Sequence, residues 1–169
     1  MTALTTTRLH LLKMSQQQLE LCLSDLPKLE EQLNMTIARD FFTERVHRAI
    51  RMKVEKMRAA DISQHAWITY WLIVIKEENL GAGMLGFKGY PNAEGSTEIG
   101  YGIDSAYQNK GYMSEAVKAL ADWAFSHPFC KVITATEVYN PASKRLLEKL
   151  GAIQTEDNEK FSSWKLRKR

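Results

Sequence analysis

Long apolar runs are missing from this chain of 169 residues. The longest is the six-residue stretch from Tyr70 to Ile75, far short of the roughly 18–20 residues that carry a helix across a bilayer. No membrane partner is expected. Cysteine is equally scarce: Cys22 and Cys130 stand far apart, form no paired motif and are too few to staple a small secreted scaffold. Met1 to Met14 lacks the cationic stub and continuous apolar block of a signal peptide. Two reduced thiols in a cytoplasmic protein are the expectation. There is no excess of one charge over a whole face either. The net charge is +3, and the four cations Lys165, Arg167, Lys168 and Arg169 more than account for it. A terminal cluster is not the basic stripe of a duplex-binding domain, so nucleic acid is not an expected partner. His10, His47, His65 and His127 show no metal-ligand spacing, and the chain contains neither a G-x-S-x-G elbow nor a G-x-x-x-x-G-K phosphate loop. No metal site is expected.

What the chain does have is 44% hydrophobic and 25% charged residues, enough for one packed core spanning a single domain, 1–169. Leu9 and Leu11 alternate as a strand. Ser15 and Gln18 form a capping box, with Met14 and Leu19 as its hydrophobic staple, and Pro27 closes or redirects the helix that follows. A second helix is predicted from Arg39 to Ala60. Its apolar side carries Phe42, Val46, Ile50, Val54 and Met57, and the opposite side is basic. Three strand-like runs follow, Tyr70–Lys76, Ala82–Lys88 and Thr97–Ile103, as an antiparallel meander. The remainder reads as a helix over 111–126, a strand over 131–137, a helix from Pro141 to Leu150 and two short strands. Asn140 and Pro141 fit the N-cap and first helical turn, and Gly151 fits the left-handed residue after the helix.

Two glycine-bearing stretches invite a phosphate reading. Gly81-Ala82-Gly83-Met84-Leu85-Gly86 matches the dinucleotide fingerprint by letter, but Gly89, Pro91 and Gly95 follow where a helix is required, so a hairpin is expected and a nicotinamide cofactor is not. Gln108-Asn109-Lys110-Gly111-Tyr112-Met113-Ser114 lies instead between a strand and a helix, where free N–H groups and the positive helix end converge on an anion. Spacing alone leaves a plain turn equally open. On the preceding strand, Glu98, Gly100 and Gly102 share one face. Two glycines there suggest a closely approaching ligand or backbone, although a bend or bulge would explain them too.

Taken together, Glu98-Ile99-Gly100-Tyr101, then Tyr107 to Ala116, Asn140-Pro141-Ala142-Ser143 and Leu146 to Gly151 resemble the GNAT superfamily of acetyl-CoA-dependent N-acetyltransferases. Within it, the likeness is nearest to the branch containing the bacterial ribosomal-protein N-terminal acetyltransferases. The motif match covers Glu98 to Ile153. The resemblance implies an α+β fold: a mixed, mostly antiparallel sheet of about six to seven strands with helices on both faces, splayed between the fourth and fifth strands. It also implies acetyl-CoA as co-substrate, with pantetheine paired to backbone at Tyr101, Gly102 and Ile103. The pyrophosphate would rest on Gln108, Asn109, Lys110, Gly111, Tyr112, Met113 and Ser114, and Asn140 and Ser143 would face the thioester.

Two departures stand out. Met113 occupies a place usually held by glycine or alanine, so its side chain must turn away from the loop. The tyrosine that many members use to protonate the leaving thiolate falls at Leu147. Ser143 is then the expected replacement, with Tyr139 as second choice. An alkyl amine is mostly protonated at neutral pH, so a base is useful. Glu98 is the expected base and Glu137 the reserve, while an ordinary surface ion pair is the competing reading for Glu98. The resemblance implies a primary amine as acceptor: a protein N-terminus, or alternatively a polyamine or amino sugar. A non-catalytic acetyl-CoA-binding module is the rival from another class, and both monomer and homodimer remain open.

Overall fold

The computed structural model describes residues 3–169. Among them, nine strands and six α-helices follow one another. They are β1 (Ala3–Thr5), β2 (Leu9–Lys13), α1 (Gln16–Ser24), α2 (Leu26–Leu33), β3 (Thr36–Ile37), α3 (Glu44–Ala59), α4 (His65–Ile68), β4 (Trp71–Ile75), β5 (Leu80–Phe87), β6 (Ser96–Ile103), α5 (Tyr112–Phe125), β7 (Val132–Glu137), α6 (Pro141–Lys149), β8 (Ile153–Asp157) and β9 (Ser162–Arg167). The sheet order is β1-β2-β4-β5-β6-β7-β9-β8, and β3 pairs in parallel with the start of β5. No helix of the described residues is long and apolar enough to cross a membrane.

Alternation along β4 builds two cores, because successive side chains leave a strand on opposite faces. Leu72 and Val74 join Leu19, Cys22, Ile50, Val54 and Met57 from α1 and α3 on one side. Trp71, Ile73 and Ile75 join Val117, Leu120 and Ala124 of α5, and Leu146 and Leu147 of α6, on the other. Helices therefore cover both faces, as expected.

Along the path β6 and β7 are the parallel pair, and they touch only briefly. Ser96–Glu98 pairs with Val132–Thr134, after which the two strands part while β6 runs on to Ile103 and β7 to Glu137. This is the expected splay, and it leaves the far half of β6 unpaired on one edge.

Three expectations need correction. The strand count rises from the expected six or seven to nine because β1 and β3, of three and two residues, are too short to show a period. Of the two readings of Pro27, redirection holds and closure does not: α1 ends at Ser24, and Asp25 accepts from the Lys28 N–H to start α2 with Pro27 in its first turn. The second long helix begins at Glu44 rather than Arg39, because the Thr43 hydroxyl caps the Val46 N–H at 3.3 Å. The capping box at Ser15 and the Asn140 cap are present as read.

Candidate active site

Where β6 and β7 part, two cavities meet from opposite faces of the sheet. One, of about 370 Å³, lies on the α5 and α6 side, between Tyr101–Ile103, the loop leading into α5, and the first turns of α6. The other, of about 760 Å³, lies on the α3 side above Glu98, Gly100 and Gly102, against Phe41, Thr43 and Arg45. Tyr101, Gly102, Ile103, Gln108, Asn140 and Ser143 border both. All of the sequence-predicted site residues except Lys110 and the second-choice Tyr139 border one or both of these cavities.

The loop end of the smaller cavity is built for an anion. Gly111 sits at the N-cap of α5 with φ +80°, a conformation open to glycine and strained for other residues, and no side chain caps the helix. The first N–H groups of a fourteen-residue helix are left free to bind a negatively charged group. Gln108, Asn109, Gly111, Tyr112, Met113 and Ser114 all border the smaller cavity. Lys110 lies beside it, with its ammonium 5.2 Å from the Tyr107 ring centroid. Met113 packs partly against the main core.

Sequence reasoning missed what holds this loop in place. Arg8, from the β1–β2 connection, donates through Nη1 to the Lys110 carbonyl at 2.9 Å and through Nε to Glu115 Oε2 at 2.7 Å. Thr6 Oγ1 donates to Glu115 Oε1 at 2.6 Å, and the Arg8 N–H reaches the same oxygen. Partial burial works against the ionised Glu115, but these hydrogen bonds and the Arg8 charge outweigh it and hold its carboxyl below the ordinary value. A side chain on Gly111 would begin 3.2 Å from Arg8 Nη2.

At the other end, Glu98 faces the larger cavity and is ion-paired to Lys88 on β5's outgoing turn. The pair and the cavity coexist, so both readings of Glu98 survive in the geometry. Ser143 is buried, and its N–H donates to Asn140 Oδ1 at 3.1 Å. Its hydroxyl lies 2.5 Å from Tyr101 Oη, a bond that bridges the splay from α6 to β6. Burial raises the Tyr101 pKa. The Ser143 hydrogen bond opposes that rise, and the Glu137 carboxylate nearby adds to it. Glu137 is itself only 8% exposed. Its Oε1 accepts from Trp164 Nε1 at 3.1 Å, while Oε2 has no hydrogen-bond partner. Tyr139, the second choice for proton donor, is 94% exposed and does not border either cavity. Leu147, where a tyrosine was missed, is buried in the core.

Comparison with known proteins bears on the family and the fold. Residues 19–153 match the family model described as an acetyltransferase (GNAT) domain. A relative from Bacillus subtilis, the N-acetyltransferase YjdG, is 37% identical over 95 residues, 56% of this chain and 56% of the relative. The match therefore spans about half the length of that curated relative. Among solved structures, a ribosomal-protein-S5-alanine acetyltransferase from Vibrio fischeri superposes with TM-score 0.68 over 99% of this chain and 97% of that one, at 18% identity. A ribosomal L7/L12 α-N-protein acetyltransferase in complex with coenzyme A gives 0.67 over 98% of each chain, at 16% identity. At such identities the likeness speaks for the fold alone.

Proposed function

The chain belongs to the acetyltransferase (GNAT) family, whose members use acetyl-CoA, and from that premise we propose that it transfers the acetyl group of acetyl-CoA to a primary amine, with a protein N-terminus as the first candidate. The observation that carries this reading is the meeting of two cavities at Tyr101, Asn140 and Ser143: a donor and an acceptor can enter from opposite faces and touch only there.

The smaller cavity fits the coenzyme. The uncapped start of α5 supplies N–H donors for a pyrophosphate, and Lys110 adds positive charge. The edge of β6 left free by the departure of β7 offers backbone at Tyr101, Gly102 and Ile103 for an extended pantetheine arm. The larger cavity suits a cationic acceptor, since Asp40, Glu98, Asp104 and Glu137 border it against Arg45 and Lys88. A peptide N-terminus and a polyamine both satisfy that balance, so a small amine is the second reading.

In this mechanism Glu98 takes a proton from the bound ammonium, directly or through one water, and the amine nitrogen attacks the thioester carbonyl. Lys88 holds the Glu98 carboxylate at the cavity wall. Collapse of the tetrahedral adduct breaks the carbon–sulfur bond, the nitrogen gives up its second proton through Glu98, and Ser143 protonates the sulfur at the positive end of α6.

The test is thiol release from acetyl-CoA with a panel of peptides bearing free N-termini, polyamines and aminoglycosides, alongside calorimetry with coenzyme A. Release with one class establishes the activity and chooses the acceptor. Binding without release across the panel favours a non-catalytic module, and absence of binding refutes the assignment of the Gln108 to Ser114 loop.

A further inference from the structure

We propose that Tyr101 supplies the proton that the site lacks at position 147, acting through Ser143 as a two-hydroxyl relay that reaches the leaving sulfur from the opposite wall of the splay. The inference rests on the acetyl-transfer reading above and deepens it. A tyrosine on α6 at that position would need the core to be rebuilt, because Leu147 is 3% exposed and belongs to the same buried cluster as Val117, Ala135 and Trp164. The hydroxyl comes instead from β6. Tyr101 is the residue between the two groove glycines, so its side chain leaves the strand on the other face from Glu98 and Gly100, toward α5 and α6. There it meets Ser143 at 2.5 Å, a short separation for an O–H···O bond.

Three features fit a relay rather than a packing contact. Both partners border the two cavities, so the bond lies where donor and acceptor would meet. Ser143 is fixed independently: the Asn140 side chain holds its N–H, leaving its hydroxyl one proton to give and room for one to receive. Burial and the neighbouring Glu137 carboxylate keep Tyr101 in its protonated form, which is the form a donor must have.

The step balances as follows. The amine nitrogen bonds to the acetyl carbon, and the carbon–sulfur bond breaks with its electron pair passing to sulfur. Sulfur takes the Ser143 hydroxyl proton and Ser143 takes the phenolic proton of Tyr101. Glu98 passes the first ammonium proton to solvent and takes the second as the adduct collapses to the amide; that second proton returns through water to Tyr101, so one amide, one thiol and one proton leave and the protein is unchanged. Tyr101 is therefore a positioning residue that acts through Ser143, not a group that touches the sulfur.

A double-mutant cycle tests this with Tyr101→Phe, which keeps the ring and removes the hydroxyl, and Ser143→Ala. In a relay, Ser143→Ala lowers kcat about 100-fold and Tyr101→Phe about 10-fold. The double variant then loses no more than Ser143→Ala alone, since a relay member has nothing to act through once its partner is gone. The KM for acetyl-CoA and the coenzyme A affinity of Tyr101→Phe stay at wild-type values. Losses that multiply in the double variant overturn the relay. So does a Tyr101→Phe effect confined to KM or to coenzyme A affinity, which would make the ring a wall of the cofactor slot. A wild-type protein that turns over no amine in the panel overturns the transfer reading and the relay with it, whereas an active wild type with an unimpaired Tyr101→Phe overturns the relay alone.

Discussion

Two glycines three strand positions apart in space make opposite predictions. A Cβ placed on Gly100 meets nothing within 4 Å, because the larger cavity lies directly above it. A Cβ on Gly83 would lie 2.3 Å from the Gly102 carbonyl oxygen and 2.7 Å from Ile103 Cα, both backbone atoms that cannot swing aside. Valine exceeds glycine in strand preference by up to about 1 kcal/mol. Gly100→Val should thus raise the melting temperature by about 2–4 °C, the shift that 1 kcal/mol produces in a protein of this length. Gly83→Ala carries overpacking of about 1–3 kcal/mol and should melt several degrees lower. The functional outcome runs the other way for Gly100→Val. Its methyl groups occupy the floor of the acceptor cavity, so the KM for the amine should rise about tenfold or more, equivalent to about 1.4 kcal/mol of lost contact. Gly100 does not border the coenzyme cavity, so the KM for acetyl-CoA should hold. Thermal melts and steady-state kinetics on the two purified variants decide the matter. A Gly100→Val protein that melts lower than wild type would show that this strand face is not open, and an unchanged amine KM would show that the acceptor does not pass over it.

Glu98→Gln should lower kcat about 100-fold with coenzyme A affinity retained, as read by thiol release and calorimetry; unaltered turnover removes Glu98 as the base. Asn140→Ala should lose the α6 cap, about 1 kcal/mol or 2–4 °C in a thermal melt, whereas Asn140→Asp should keep it. Lys53 is 6% exposed, donates to the Phe87 carbonyl, and is pulled down to about 7 by burial with Lys56 and Lys88 nearby. Between that value and the ordinary lysine value of 10.5 the unfolded chain binds a proton the folded protein has released, so this group adds stability as pH rises, by about 1.4 kcal/mol per pH unit. Below about pH 7 both states hold the proton and its contribution is flat. Lys53→Met should remove that slope, and urea melts of both proteins at pH 7, 8 and 9 would refute the burial of a weakened lysine if their difference stayed constant.

Local chemistry was the legible part of this chain. Ser15 with Gln18, Asn140 with Pro141, and Gly151 at φ +78° each act through backbone groups a few positions away, and each sits where its neighbours in sequence placed it. The splay was legible only through the family resemblance, since nothing in the residues of β6 states where β7 departs. That gap explains Tyr101. Alternation put it on the face opposite Glu98, and its backbone drew attention, but the partner for its hydroxyl lies 42 positions later on a helix that only the tertiary fold brings near. Glu98 was read as either a base or half of an ion pair, and the Lys88 contact shows that one side chain can satisfy both descriptions. The short strands β1 and β3 carry too few residues to show any period, and Thr43 was not recognised as a cap because the apolar positions before it mimic helical spacing.

Arg8 has a bearing on how this protein can be cut and fused. The family match begins at residue 19, so β1 and β2 fall outside it. Yet it is from their connecting turn that Arg8 reaches across 102 positions to the Lys110 carbonyl and pairs with Glu115 on the helix behind the loop. A fragment trimmed to the matched boundaries would keep every residue of the coenzyme loop and lose the brace that shapes it. It would also bare the edge of β4, which pairs with β2 along its whole length. The matched stretch and the unit that must fold here have different borders, and a tag or fusion partner set against the first strands lies next to the brace of the coenzyme loop.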